Sequence, residues 1–316
     1  MEASNQLWAI TGHFNPGHDS RRLINFRRFR NALRVPLLAV ELGYGGSLEL
    51  NSGDADILVQ LRGDSVLWQR ERLLNVAAGA LPPHVEYVAW LDSDIEFSDA
   101  AWPDAAMESL RHNRLVQLFE HLIDLEPDSS AENPGFLEHT GKSFVAFEVN
   151  GGPKTKELRP GSAKVYRPRC PGAAWAARRS LIERHGFYDA LILGAGDAAF
   201  ALSAYGKFDE LTRVAKLNAA QQRHYLAWAR PFHADVQGSV GFLQGAIHHY
   251  WHGALSNRFY KERNEGLVRF DFDPYADIRI DDQGCFVWAS DKPGLHEFVR
   301  SFWTQPVRNA GRDQRP

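Results

Sequence analysis

Apolar and polar residues follow two different spacings along this chain, and their order predicts an α/β protein. Short runs rich in β-branched and aromatic residues, bounded by Gly, Pro, Asn or Asp, are typical of buried strands. Such strands are predicted at 7–10, 35–42, 57–61, 85–91, 115–119 and 144–149. Between most of these runs, apolar residues recur at every third or fourth position, which predicts helices. Strands that alternate with helices favour a sheet with helices packed on its faces.

The predicted helices differ in how clearly the sequence pattern indicates them. They begin at Ser20 and Leu217, the latter with an interruption at Pro231, and cover 65–78, 103–111, 178–185, 198–205 and 257–268. The helix at 65–78 is the clearest, because one apolar stripe, which also includes Arg70, ends at Gly79.

Composition changes along the chain predict how it is organised. Residues 126–171 mix Pro, Gly, Ser, Lys and Glu with a single strand-like run, which indicates an irregular insertion or lid. We therefore expect a main domain over 1–256 that contains this insertion, and a helical C-terminal extension over 257–316. The polar, basic tail after Gln305 is expected to be frayed.

Charge and cysteine content narrow the class of protein. The 316 residues carry a net charge of -3 with a pI near 6.5, so no overall basic field attracts nucleic acid or anionic membranes. Two cysteines are too few for a disulfide framework, and no stretch is apolar enough to cross a membrane. We expect a cytoplasmic protein without a membrane span.

The predicted strand at 85–91 is followed directly by Asp92-Ser93-Asp94. Ligands bind at the carboxyl ends of strands in open α/β sheets, so two acids at this position favour a ligand site. Two carboxylates separated by one residue suit Mg2+ or Mn2+, with a water or a sugar hydroxyl as a further contact. The alternative is a solvated pair of aspartates in a turn.

Three further positions are candidates for contacts with a nucleotide. Asn15 lies in the loop after the first strand, where α/β proteins commonly bind nucleotides. Glu41 near the end of the second strand is placed to accept a hydrogen bond from a ribose or a base, although a salt bridge explains it equally well. Arg72 on the helix before the Asp92 strand is placed to approach a diphosphate, with an exposed helix charge as the alternative.

Two later segments carry candidate chemical groups. Asp197 follows two glycines at the start of a helix, where it suits a ligand contact or a helix N-cap. His248, His249 and His252 lie on a strand-like run. Strand alternation places His248 and His252 on one face and His249 on the other, so at most two of them are expected in one site.

Taken together, these segments resemble the GT-A-fold glycosyltransferases over roughly residues 7–256. The similarity rests on the Phe-Asn-Pro loop, the helix that carries Arg72 and Asn75, the Val-Ala-Trp-Leu-Asp-Ser-Asp strand, Gly-Phe-Tyr-Asp, Gly-Ala-Gly-Asp and Trp-His-Gly. It is closest to the inverting family-2-like and galactosyltransferase-like branches. The resemblance implies a GT-A, Rossmann-like mixed sheet that is mainly parallel and flanked by helices.

The resemblance also implies functional roles. Asp94 and His252 would bind Mn2+ or Mg2+, Asp92 and Ser93 would contact the metal or the ribose of a UDP-sugar donor, and Asp197 would be the base that activates an acceptor hydroxyl. The acceptor would be a glycan, a small molecule or a hydroxymethylated DNA base.

Other functions stay open at this stage. For DNA, phosphates would be contacted by a set of arginines: Arg21, Arg22, Arg27, Arg28, Arg30, Arg167, Arg169, Arg178 and Arg179. The further alternatives are a non-catalytic module that binds nucleotide sugars through tryptophans such as Trp68, and a metal-dependent phosphohydrolase.

Overall fold

The protein has a mixed α/β fold. The structure is a computed structural model that describes residues 6–126, 129, 139–151, 165–253 and 260–304. Its strands in chain order are β1 (Leu7–Phe14), β2 (Leu37–Gly43), β3 (Ile57–Arg62), β4 (Tyr87–Leu91), β5 (Ile95–Phe97), β6 (Leu115–Gln117), β7 (His121–Asp124), β8 (His139–Ser143), β9 (Val165–Cys170), β10 (Ala174–Arg178), β11 (Val240–Phe242), β12 (Ala246–His249), β13 (Ile278–Ile280) and β14 (Phe286–Trp288).

Helices occupy much of the remaining described chain. They are α1 (Ser20–Ala32), α2 (Arg70–Gly79), α3 (Trp102–Ser109), α4 (Phe144–Asn150), α5 (Arg179–His185), α6 (Gly196–Ala204), α7 (Phe208–Val214), α8 (Ala219–Val236), α9 (Tyr260–Leu267), α10 (Pro274–Asp277) and α11 (Pro293–Thr304). None of the helices in these parts of the chain has both the length and the apolar composition that a membrane crossing requires.

The central sheet has the strand order β11-β6-β10-β4-β1-β2-β3. Its strands run parallel, except that β10 pairs antiparallel with both β4 and β6. A second sheet has the order β5-β12-β7-β8-β9, and β13 and β14 form a hairpin. The mainly parallel α/β sheet predicted from the sequence is therefore confirmed.

Both faces of the central sheet are buried. Along β1, Trp8 and Ile10 pack into one core cluster, while Leu7 and Ala9 pack into a second cluster on the opposite face. Because successive side chains of a strand point to opposite faces, such a strand is apolar throughout rather than alternating. Helices therefore cover the sheet on both sides.

Several predicted elements differ from the structure. The strand predicted at 144–149 is the helix α4, because the Ser143 hydroxyl accepts a hydrogen bond from the Ala146 amide and Gly151 ends the helix at φ 73°. Helix α8 runs through Pro231 without interruption, since its N-terminal capping box and its buried face hold it. Helix α2 begins at Arg70 rather than at Ser65.

The segment before α2 is irregular rather than helical, because its polar groups bond elsewhere. The Trp68 amide donates to the Ile192 carbonyl, at 3.0 Å. The Gln69 side chain donates to the carbonyl of Phe286 and accepts from its amide. These bonds fix the start of α2 between the central sheet and the β13–β14 hairpin.

The C-terminal extension shares the main core. Its residues Leu267, Phe286 and Val299 belong to the same cluster as Ile10 and Trp90 of the central sheet. The tail after Gln305, the start of the helix predicted at 257–268 and much of the predicted insertion lie outside the described residues.

Candidate active site

The candidate site lies at the carboxyl ends of the parallel strands, in the turn between β4 and β5. This turn contains Asp92, Ser93 and Asp94, and the Asp92 amide donates to the carbonyl of Ala173, at 2.8 Å. Helix α2 connects two parallel strands, so it runs back along the sheet and its first residues lie at this edge. Arg70 therefore lies beside the turn.

Arg70 contacts three carboxylates that surround its guanidinium. Its guanidinium lies 2.6 Å from Asp92 Oδ1, 2.9 Å from Asp197 Oδ1 and 3.2 Å from Glu71 Oε1. The side chain of Arg70 is only 11% exposed. The indole of Trp68 donates to the other oxygen of Glu71, at 2.6 Å. We call these four charged residues, Arg70, Glu71, Asp92 and Asp197, the arginine cluster.

Burial in the arginine cluster perturbs the pKa values of Glu71 and Asp92. Burial raises the pKa of Glu71 to about 7, with Asp197 adding to the rise and Arg70 opposing it. Burial likewise raises the pKa of Asp92 to about 6, opposed by Arg70 and assisted by Asp197 and Asp94. Burial alone would lower the pKa of Arg70, but the surrounding carboxylates raise it and keep it charged.

Two glycines make room for these acids. A Cβ atom on Gly172 would lie 2.5 Å from Asp197 Oδ2, and one on Gly196 would lie 2.2 Å from Cδ of Glu71. Any side chain at either position would displace a carboxylate that contacts Arg70. Gly196, which precedes Asp197, therefore leaves room for the side chain of Glu71.

Asp94, at the end of the same turn, lies close to two histidines. The ligand atoms of Asp94, His249 and His252 all lie within 4.8 Å of one another. Asp94 Oδ1 is 3.7 Å from Nε2 of His249, and Asp94 Oδ2 is 3.5 Å from Nε2 of His252. Two ligands on one tetrahedral ion with bonds of about 2.1 Å are about 3.4 Å apart. These three residues, the metal triad, therefore fit a divalent cation.

Strand pairing places His249 in the metal triad. In β12, His249 is opposite Ile95 of β5, and the Tyr250 amide donates to the Asp94 carbonyl, at 2.8 Å. The strand ends at His249, so the alternation expected up to His252 does not hold. His249 and His252 both reach Asp94, and the prediction that put them on opposite faces was wrong.

The loop that carries His252 is held by α1. The Asn25 side chain donates to the Trp251 carbonyl, at 3.1 Å. The guanidinium groups of Arg21 and Arg28 lie 4.0 Å from the ring centroids of Trp251 and Tyr250 respectively.

Most arginines assigned to DNA phosphates have protein partners. Arg27 and Arg30 pair with Asp54 and Asp56. The other contacts are Arg169 with Glu148 and Glu210, Arg178 with Tyr87, and Arg179 with Glu183. The side chain of Arg167 lies outside the described part of the chain. These side chains are already paired within the protein, which leaves them less available to bind phosphates.

Arg72, which is predicted from the sequence to lie near a diphosphate, is paired with a carboxylate of the protein. Its guanidinium lies 3.0 Å from Asp189 Oδ2, a carboxylate that also accepts a hydrogen bond from Asn75. Arg70, two residues earlier, is the arginine that reaches the acidic turn.

Asn15 and Glu41 flank a pocket at the ends of β1 and β2. Glu41 accepts hydrogen bonds from the Leu50 amide and the Gln60 side chain, while Asn15 donates to both carboxylate oxygens of Glu49. The pocket is lined by His13, Asn15, His18, Glu41, Leu42, Gly43, Tyr44, Ser47 and Glu49. Burial would raise the pKa of Glu49, but hydrogen bonds from His13 and Asn15 lower it below its ordinary value.

Comparisons with known proteins give distant likenesses only. No protein-family model and no curated protein matches the chain. Among solved structures, glucosyl-3-phosphoglycerate synthase from Mycobacterium tuberculosis, in complex with Mn2+, UDP-glucose and phosphoglyceric acid, is 13% identical; the match covers 90% of this chain and 87% of that one, with a TM-score of 0.41.

Two other solved structures are similarly distant. S. aureus TarS 1–349 is 12% identical over 85% of this chain and 67% of that one, with a TM-score of 0.38. The 4-diphosphocytidyl-2C-methyl-D-erythritol synthase from Anaerococcus prevotii is 12% identical over 77% and 88%, with a TM-score of 0.33. Likenesses this distant do not assign an activity to the chain.

Proposed function

We propose that this protein is a GT-A-type glycosyltransferase that moves a sugar from a nucleoside diphosphate donor, a UDP-sugar, to an acceptor hydroxyl with the help of a divalent cation. The observation that carries the proposal is that the metal triad and the arginine cluster share one turn, which supplies Asp94 to the triad and Asp92 to the cluster. A site for a cation next to a fixed guanidinium suits the diphosphate of a nucleotide sugar.

The cation, when bound, would offset the negative charge that grows on the departing diphosphate. Asp94 and His252 would hold it, as expected for Mn2+ or Mg2+. Asp92 and Ser93 would contact the ribose. Arg70 fixes Asp92 at 2.6 Å, so the carboxylate has a set orientation before the donor arrives.

The base of the nucleotide would bind at the pocket at the ends of β1 and β2. In this proposal Asn15 and Glu41 act through the loop that they hold, because their side chains are already bonded to it. Glu49 presents a carboxylate within the same pocket, with its side chain 20% exposed, and can accept a hydrogen bond from an imide N–H group.

Asp197 would take the proton of the acceptor hydroxyl, which predicts inversion at the anomeric carbon. Its position in the first turn of α6 keeps the carboxylate at the helix N-terminus, and Arg70 holds one of its oxygens at 2.9 Å. Replacing Asp197 by Asn keeps the shape and removes the base. We expect kcat to fall about 10²–10⁴-fold while donor and Mn2+ affinities change little.

A donor screen tests the proposed activity. The protein, freed of metal with a chelator, is mixed with UDP-sugars with and without Mn2+, and thermal stability and slow donor hydrolysis are measured. A donor at a hundredfold excess over its Kd stabilises the fold by about 2.7 kcal/mol. We expect a shift that requires Mn2+ and disappears in Asp94→Ala.

The same screen separates the alternatives. Phosphate release from simple esters without sugar transfer would indicate a phosphohydrolase, and donor binding without hydrolysis or transfer would indicate a binding module. Salt-sensitive binding to DNA would support a DNA acceptor. A product that retains the anomeric configuration, observed by proton NMR, would remove Asp197 from the role of base.

A further inference from the structure

The metal triad contains one histidine, His249, whose orientation is fixed by a buried acid. Nδ1 of His249 lies 2.7 Å from Asp124 Oδ1, and both side chains are about nine-tenths buried. Asp124 belongs to β7, which pairs parallel with β12 so that Asp124 and His249 are direct partners. Strand register, not a flexible loop, sets this contact.

The hydrogen bond to Asp124 determines which ring nitrogen faces Asp94. A carboxylate accepts hydrogen bonds, so Nδ1 of His249 donates to Asp124, and the other ring nitrogen, Nε2, is the one placed to bind a metal. Nε2 of His249 faces Asp94 Oδ1 at 3.7 Å. A cation between these two atoms would be bound by both of them.

We infer that His249 is a third protein ligand of the metal and that Asp124 is the positioning residue that fixes its tautomer. Histidine ligands commonly donate their second N–H group to a carboxylate, which orients the ring and increases its basicity as a ligand. The inference rests on the metal site of the proposed function, but it concerns which atoms bind the ion and is independent of the sugar and the acceptor.

This ligand set also selects the metal. Mg2+ prefers oxygen ligands in octahedral geometry, whereas imidazole nitrogen suits first-row transition metals better than it suits Mg2+. Two imidazoles and one carboxylate therefore favour a transition metal over Mg2+. Between the two ions predicted from the sequence, the geometry points to Mn2+ as the resident ion.

Mn2+ binding to the full-length protein tests the inference without any activity measurement. Calorimetry gives the Kd, and pulsed EPR of the bound Mn2+ gives the number of imidazole nitrogens coupled to the ion. We expect two nitrogens in the wild type and one in either His249→Gln or His252→Gln. A hundredfold excess of Mg2+ over Mn2+ is expected to leave both nitrogen couplings in place.

The role of Asp124 has its own variant and a matched control. Asp124→Asn is expected to weaken Mn2+ binding about 10–100-fold and to alter the nitrogen coupling of His249. The control is Asp235→Asn, which removes the acid from another Asp–His contact, His185 Nε2 to Asp235 Oδ2 at 3.1 Å, away from the site. The control is expected to bind Mn2+ like the wild type.

Each outcome decides a different point. A single coupled nitrogen in the wild type overturns the inference while leaving the proposed function intact. Unchanged Mn2+ affinity in Asp124→Asn overturns the positioning role. If the wild type does not bind Mn2+, both the inference and the proposed function fail.

Discussion

Removing the charge of Arg70 should destabilise the protein in a manner that depends on pH. In Arg70→Met the aliphatic stem still packs, but three carboxylates within 3.2 Å of the former guanidinium lose their shared cation. Breaking a buried ion pair from one side costs about 3–5 kcal/mol of unfolding free energy. We expect a loss in this range at about pH 8.

The direction of the pH effect follows from the raised pKa of Glu71. Its ordinary value is 4.5 and its folded value is about 7, so its contribution to stability is complete below 4.5 and is lost as the pH rises through about 7. Without Arg70, the folded pKa rises further and the loss extends to higher pH. At about pH 5 the carboxyl groups of Glu71 and Asp92 are largely protonated, and the cost of the substitution should be smaller.

Urea unfolding followed by tryptophan fluorescence and circular dichroism at both pH values measures this cost. Arg111→Met is the control, because Arg111 is 67% exposed and pairs with Glu108 on the surface. It should change the unfolding free energy by less than about 0.5 kcal/mol at either pH. A loss for Arg70→Met that is equal at the two pH values, or below about 1 kcal/mol at the higher one, would refute the charge argument.

Three other substitutions test separate contacts. Gly172→Ala places a Cβ atom 2.5 Å from Asp197 Oδ2, so sugar transfer should fall at least about tenfold and urea stability by about 1–3 kcal/mol. Asn75→Ala removes two donated hydrogen bonds and one accepted bond, and the same unfolding assay should show a loss of about 2–3 kcal/mol. Trp303→Ala uncovers Trp68, whose ring centroid lies 5.0 Å away, so tryptophan emission should shift to longer wavelength and Tm should fall.

Local sequence patterns predicted the elements that are continuous and apolar. The strand before Asp92 and the helix that ends at Gly79 were both found, because each buries one unbroken run or stripe. Strand β10 was missed, although it lies between β4 and β6. Its residues Ala174–Arg178 are mostly small, and an antiparallel strand inserted from a distant part of the chain leaves no periodic signal.

The sequence shows residues of the candidate site where one short segment supplies them, but it does not show contacts between separate segments. Asp92 and Asp94 are visible in the sequence as a pair. Arg70 was visible too, since it occupies the apolar stripe of its helix, and a charge in such a stripe must be paired inside the fold. That signal favours Arg70 over Arg72. The contact of Asp124 with His249 depends on strand register across 125 residues, which no local pattern contains.

The turn at 92–94 brings two groups of residues together. Asp92 contacts Arg70, while Asp94 contacts His249 and His252. Arg70 only partly balances Asp92, Asp197 and Glu71, which leaves excess negative charge at this edge. In the proposed function a diphosphate would add more negative charge, which a bound divalent cation would offset. Metal binding should therefore precede donor binding, because the acids at this edge repel the diphosphate when the cation is absent.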